Sequence, residues 1–163
     1  MEEKILCILA QYDEETQQKL RDIQQVLLEN GFVGRQTADV PYHMTLGTFK
    51  LSEEEMLREK VKVVCKDFEG FDIRLNNIGL FGLDVLFIAP LVNYDLLNLQ
   101  KLFSDDNEWT AHTTLLIDDH EIVHKALPLV AEKFKSFVGR VESISLYEFW
   151  PTRLILKENL KTS

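Results

Sequence analysis

Cysteine, proline and glycine are scarce in this chain: two, four and seven among 163 residues. Cys7 and Cys65 are too few for a disulfide framework and read as buried apolar filler in a reducing cytoplasm. So little glycine and proline argues against a long flexible linker or a collagen-like repeat. Long hydrophobic runs are missing too. Ile5–Ala10 and Val85–Val92, the latter broken by Pro90, fall well short of the ~20 residues a membrane span needs. The start Met1-Glu2-Glu3-Lys4 lacks the basic flank of a secretory signal, so none is expected. Positive charge is the last shortage: 18 basic residues against 27 acidic give a net −9. Such a chain is poorly made to neutralise the phosphates of a duplex, although a local basic pocket would still hold a small anion. The remainder is ordinary globular composition, 45% apolar and 28% charged, at a length suited to one domain.

Periodicity gives a coarse order of elements. Residues 4–11 read as a buried strand. Asp13 then caps a helix running to Asn30, with Leu20, Ile23 and Leu27 as its apolar stripe and Gly31 as its stop. After an irregular stretch, Phe32–Pro41, a strand is expected over Tyr42–Phe49. Ser52 and Glu55 have capping-box spacing ahead of a helix to about residue 68. Phe71–Ile78 reads as a strand and Gly79–Gly82 as a turn. The same order then returns: strand Asp84–Leu91, helix Asn93–Phe103, strand Trp109–Ile117, helix Asp119–Phe137 disturbed by Pro128, strand Val141–Phe149, and a last strand from Arg153 to Leu156. The chain is thus strand-helix-strand-helix-strand, twice, with two lobes expected over roughly 1–80 and 81–163 and a ligand cleft between them.

The middle strand of each half carries the same four-residue pattern. One is His43-Met44-Thr45-Leu46 and the other His112-Thr113-Thr114-Leu115. The chain has 4 His, 9 Thr and 25 Leu. Two coincident His-x-Thr-Leu matches among so few histidines arise by chance roughly once in two thousand. Side chains alternate faces along a strand, so each strand offers one imidazole beside one hydroxyl, backed by apolar residues. Two such faces converging would surround one cavity with His43, Thr45, His112 and Thr114. That set suits phosphoester chemistry without a metal. A neutral imidazole accepts a proton from the attacking water, a protonated one gives a proton to the leaving oxygen, and the hydroxyls donate to non-bridging oxygens.

A competing pattern is His120-Glu121-Ile122-Val123-His124, the spacing of a helical zinc site with a glutamate base. It opens its helix instead of sitting inside one, Pro128 lacks the N–H that would bond the His124 carbonyl, and no third ligand is marked downstream. A solvated first turn is the simpler account.

With both motifs in place, the chain resembles the two-histidine (2H) phosphoesterases, whose RNA ligase-like and cyclic phosphodiesterase members carry one His-x-Thr/Ser-x motif per pseudo-symmetric lobe. The resemblance spans essentially the whole chain. It implies a bilobal α+β fold with two mainly antiparallel sheets flanking a central cleft and helices outside. It also implies His43 and His112 as the acid–base pair, Thr45 and Thr114 as phosphate holders, and no metal or other cofactor. The activity implied is hydrolysis of a 2′,3′-cyclic or 2′–5′ phosphodiester in a nucleotide or short RNA, with RNA ligation as a further possibility of the group. The ligase-like branch often continues its second motif as Leu-Ala-Arg, whereas this chain reads Leu115-Leu116-Ile117. Arg35 or Arg153 would have to replace that arginine. Phe49, on the His43 face by alternation, is a candidate to stack on a base, Gly47 shares that face, and Tyr147 and Trp150 fit either the cleft or the core. A monomer in the cytoplasm, acting on a small nucleotide-like or short RNA substrate, is the expectation. A non-catalytic nucleotide- or protein-binding member of the same fold and a zinc peptidase at His120 and His124 are the alternatives.

Overall fold

The computed structural model describes residues 3–162. The elements are β1 (Ile5–Tyr12), α1 (Glu14–Glu29), β2 (His43–Phe49), α2 (Glu54–Asp67), β3 (Phe71–Phe81), β4 (Val85–Leu91), α3 (Tyr94–Phe103), β5 (Thr113–Ile117), α4 (His120–Lys133), β6 (Phe137–Phe149) and β7 (Arg153–Asn159). No helix among the described residues is long and apolar enough to cross a membrane.

Local chemistry accounts for most boundaries. Asp13 caps α1 by accepting from the Thr16 amide at 3.0 Å, and Leu20, Ile23 and Leu27 form its buried stripe. The expected Ser52–Glu55 capping box does not form, and a single glutamate cap two residues earlier opens the segment. Glu53 accepts from the Lys50 amide at 2.8 Å and a 3-10 turn, Leu51–Glu53, leads into α2. Pro128 is accommodated inside α4, which ends at Lys133. The helix expected to reach Phe137 stops at Lys133, and β6, expected from Val141, opens at Phe137, because residues 137–140 complete a ladder with β3.

Among the described residues seven strands join in one antiparallel network in the order β2-β1-β6-β3-β4-β5, with β7 also on β6. The order is palindromic about the β6–β3 pair: β2 answers to β5, β1 to β4, and β6 to β3. Two sheets are therefore continuous through β6. Its first residues pair with β3 and its later ones with β1 and β7, changing over at Val141, which faces both Phe71 and Tyr12.

This pairing crosses the expected division at residue 80. The first two strands of each half pair with each other, and the third pairs with a strand of the other half. β3 pairs with β4, and β6 pairs with β1. The element order predicted by periodicity holds, but the exchange of third strands depends on long-range pairing that periodicity does not report. Leu6, Ile8, Ala10, Met44, Leu46, Leu86, Ile88 and Leu115 lie on the helix-covered face in the main core. On the opposite face a second cluster gathers Cys7, Leu9, Tyr147 and Phe149. Cys7 and Cys65 are both free and buried.

Candidate functional site

β2 and β5 are the outermost strands of the order β2-β1-β6-β3-β4-β5, so each has one edge without a ladder. Three side chains and one backbone amide from the other half cover those edges. The Thr113 hydroxyl donates to the His43 carbonyl at 3.0 Å, and the Trp109 indole N–H to the Thr45 carbonyl at 3.0 Å. On β5, Gln24 of α1 donates to the Leu115 carbonyl at 3.0 Å and the Arg35 amide to the Ile117 carbonyl at 2.7 Å. These bonds satisfy carbonyls that would otherwise be open edge acceptors, and they bring the two motifs together.

The motifs share a backbone irregularity. Between β1 and β2 the register runs Leu9 with Thr45, then Ile8 with Gly47, leaving Leu46 unpaired. Between β4 and β5 it runs Phe87 with Thr114, then Leu86 with Leu116, leaving Leu115 unpaired. Each is a β-bulge on the residue after the motif threonine. Leu46 and Leu115 are 1% and 0% exposed. The fourth motif position is thus the extra residue of a bulge, anchored in the core.

The two imidazoles are held alike. His43 Nδ1 lies 2.8 Å from the Pro41 carbonyl and His112 Nδ1 2.8 Å from the Thr110 carbonyl, each two residues back. A carbonyl only accepts, so Nδ1 carries a proton in both rings. Nε2 is left in each as the nitrogen free for chemistry. His112 also packs edge-on against Phe81, with centroids 4.6 Å apart, and against Phe87 at 5.3 Å. Gly79 makes that packing possible, since a Cβ there would overlap the Phe87 ring. Burial is the largest influence on His43 and pushes its pKa below the ordinary value. The Pro41 bond pulls it up, and the nearby His112 pushes it down again.

A groove of about 790 Å³, within the range of small-molecule sites, is lined by three of the four expected residues, His43, Thr45 and Thr114, while His112 packs against Phe81 and Phe87 and does not line it. Gln11, Tyr42 and Trp150 extend its walls. Trp150 is held there by an N–H bond to Thr37 at 3.0 Å. A separate cavity of about 360 Å³ touches His120 and His124, which lie exposed one turn apart at the start of α4. No group of three or more His, Cys, Asp or Glu able to hold a metal occurs among the described residues, so the HExxH pattern has no third ligand there.

The weaker candidates fall elsewhere. Arg35 pairs with Asp118 and Asp119, both at 3.2 Å, and Arg153 pairs with Glu54 at 2.9 Å and Glu148 at 3.4 Å. Neither lines the groove, whereas Arg21 and Lys157 do. Phe49 is displaced by the bulge. Skipping Leu46 reverses the alternation, so Phe49 pairs with Leu6, and both pack in the main core. Gly47, opposite Ile8, moves to that face with it. Replacing Phe49 with alanine should cost about 3 kcal/mol of stability and leave turnover per folded molecule unchanged. Denaturation and activity measured on one preparation check this, and a selective loss of turnover would return Phe49 to the site.

Sequence reasoning missed the α1 wall of the groove. Glu14, Gln17, Arg21, Gln24 and Leu28 line it, at alternating three- and four-residue spacing. That stripe is as regular as the apolar one but mostly polar, and it was legible as a second helical face.

Neither a protein-family model nor a characterised protein sequence matches the chain. Solved structures do. E. coli LigT in its apo form is 16% identical with a TM-score of 0.66, and its ATP complex is 18% identical with 0.67, each covering 99% of both chains. TT0787 of Thermus thermophilus is 16% identical with a TM-score of 0.63, covering 98% of this chain and 99% of its own. LigT has also been crystallised with 3′-AMP. This chain has the LigT-like 2H phosphoesterase fold, a mixed α/β arrangement with an antiparallel sheet and, among the described residues, four helices.

Proposed function

We propose that this chain, carrying the 2H phosphoesterase fold, hydrolyses a 2′,3′-cyclic or 2′–5′ phosphodiester in a nucleotide or short RNA. The observation that supports it most is the matched pair of imidazoles, each with Nδ1 committed to a carbonyl and Nε2 unassigned, each two residues before a threonine at a bulge. A groove large enough for a nucleotide and the ATP and 3′-AMP complexes of LigT favour a substrate of that class.

In this reading the phosphorus lies between the two Nε2 atoms. His43, kept neutral by burial, takes a proton from water as the water oxygen bonds to phosphorus. The bond from phosphorus to the leaving ribose oxygen breaks, and His112 delivers the proton that this oxygen needs. Thr45 and Thr114 donate to the non-bridging oxygens, where charge builds in the transition state. Opening a 2′,3′-cyclic phosphate this way gives a 2′-phosphate. Proton exchange with solvent then resets both imidazoles. Hydrolysis is preferred to ligation, because Leu115-Leu116-Ile117 supplies no arginine after the second motif.

The test is turnover of a 2′,3′-cyclic nucleotide panel and a 2′–5′-linked dinucleotide in excess chelator, by the native chain and His43→Ala. Turnover that persists in chelator and disappears in the variant supports the proposal. Nucleotide-induced thermal stabilisation without turnover would favour a binding role. The pH profile gives a second check. A base must be neutral to act, and His43 is shifted below the usual imidazole pKa of about 6.5. The acid limb of kcat/KM should therefore lie below pH 6.5, and a limb at or above that value would exclude His43 as the base.

A further inference from the structure

The middle residue of the second motif, Thr113, is a threonine where the first motif has methionine. It is 1% exposed and points away from the groove, on the face opposite His112 and Thr114. Its hydroxyl makes two bonds. One runs 3.0 Å to the backbone carbonyl of His43, across the junction between the lobes, and the other 2.7 Å to the Tyr12 hydroxyl. The carbonyl can only accept, so the single Thr113 proton is spent there. Tyr12 must then donate to Thr113, giving a directed relay from Tyr12 O–H to Thr113 O–H to the His43 carbonyl. Tyr12 is 4% exposed, and burial holds its phenol above the ordinary tyrosine range, so it remains a donor.

We propose that Thr113 is a positioning residue that sets the distance between the two catalytic imidazoles. The inference rests on the paired-histidine reading and deepens it. Thr113 follows His112 directly in the chain and bonds His43 directly through space. No other side chain among the described hydrogen bonds joins a residue adjacent to one histidine to the backbone of the other. The Trp109 bond to the Thr45 carbonyl runs alongside and fixes the same edge one pair further on. A two-proton mechanism depends on this separation, because both Nε2 atoms must reach opposite sides of one phosphorus. Misplacement of a reacting group by about 1 Å can cost on the order of a hundredfold.

Thr113→Val keeps the shape of the side chain and removes the hydroxyl. It should lower kcat by roughly ten- to a hundredfold while KM stays within about twofold, as expected when ground-state binding is intact. Thr113→Ser should recover most of the loss, and Tyr12→Phe should give a smaller loss in the same direction. The imidazole NMR resonances supply a readout that a purely structural role would not move. In folded Thr113→Val the His43 signals should shift or broaden, while those of His120 and His124 stay in place. If Thr113→Val does not fold, Tyr12→Phe carries both measurements. Unchanged kcat, or a loss of kcat with unmoved His43 resonances, or a Thr113→Ser as impaired as the valine variant, would overturn the proposal. Should the native chain turn over no phosphodiester, the functional reading fails, and the His43 resonances still decide whether Thr113 positions that ring.

Discussion

Replacing His43 or His112 with alanine should each lower kcat/KM by ~10²–10⁴-fold, the usual worth of one positioned proton transfer. Neither change should unfold the chain, because both rings are only half-buried and each makes one side-chain hydrogen bond, to a carbonyl two residues away. The double variant is expected to be little worse than the more damaging single one, since the two protons move in one displacement and residues acting as a unit are not additive. The pair should not be equivalent in their pH dependence. Losing His43 removes the acid limb, because its ring must be neutral to act. His43→Ala should also reduce the acid sensitivity of stability. The native His43 pKa lies below its unfolded value, so the unfolded state takes up the proton first. Stability is therefore lost as pH falls from about 6.5 through the lowered pKa. Steady-state kinetics across pH with thermal melts of the same samples would measure all of this. Two alanine variants as active as the parent would remove the histidines from the mechanism.

The second large effect is on stability and concerns the leucines that close each motif. Leu46→Ala and Leu115→Ala should each cost roughly 2–5 kcal/mol, the range for a fully buried leucine whose cavity cannot collapse. Collapse is hindered here because each leucine is the unpaired residue of a bulge, with neighbours fixed by ladder pairs on either side. Urea titration should give a lower midpoint with an unchanged m-value. Thr45→Val and Thr114→Val form the contrast. Both threonines are half-buried at the groove, so stability should change little while turnover falls, as it does when a donor to a developing oxyanion is lost. A stable Leu46→Ala would mean that the bulge relaxes around a smaller residue.

Much of this was legible in the letters because each signal was local. The alternation in His43-Met44-Thr45 assigns faces correctly, with Met44 in the core and His43 on the groove. The element order follows from apolar spacing, and the α1 cap from one aspartate. What failed did so at places where register or pairing intervenes. Phe49 was assigned to the His43 face by a period of two, and one unpaired residue at Leu46 turned it over. The helix expected to reach Phe137 ends at Lys133, and β6 begins four residues before the expected Val141, because residues 137–141 pair with β3, a partner far away in sequence order. Arg35 and Arg153, offered for the arginine missing after the second motif, stand beside carboxylates outside the groove lining, a matter of tertiary placement that the letters do not report.

The exchange of third strands has a consequence for how the chain comes to its native state. Residues 1–80 alone would hold β1 with one long edge bare, since β6 is made in the other half. Residues 81–163 would hold β4 lacking β3. Neither piece contains a finished unit, so separately expressed halves should be insoluble or disordered and should regain order only when mixed. Within the intact chain, Ile5 waits for Phe149 before its outer ladder can close. Folding ruled by such distant closures is slow and concerted, and it admits no half-built molecule carrying one functional motif.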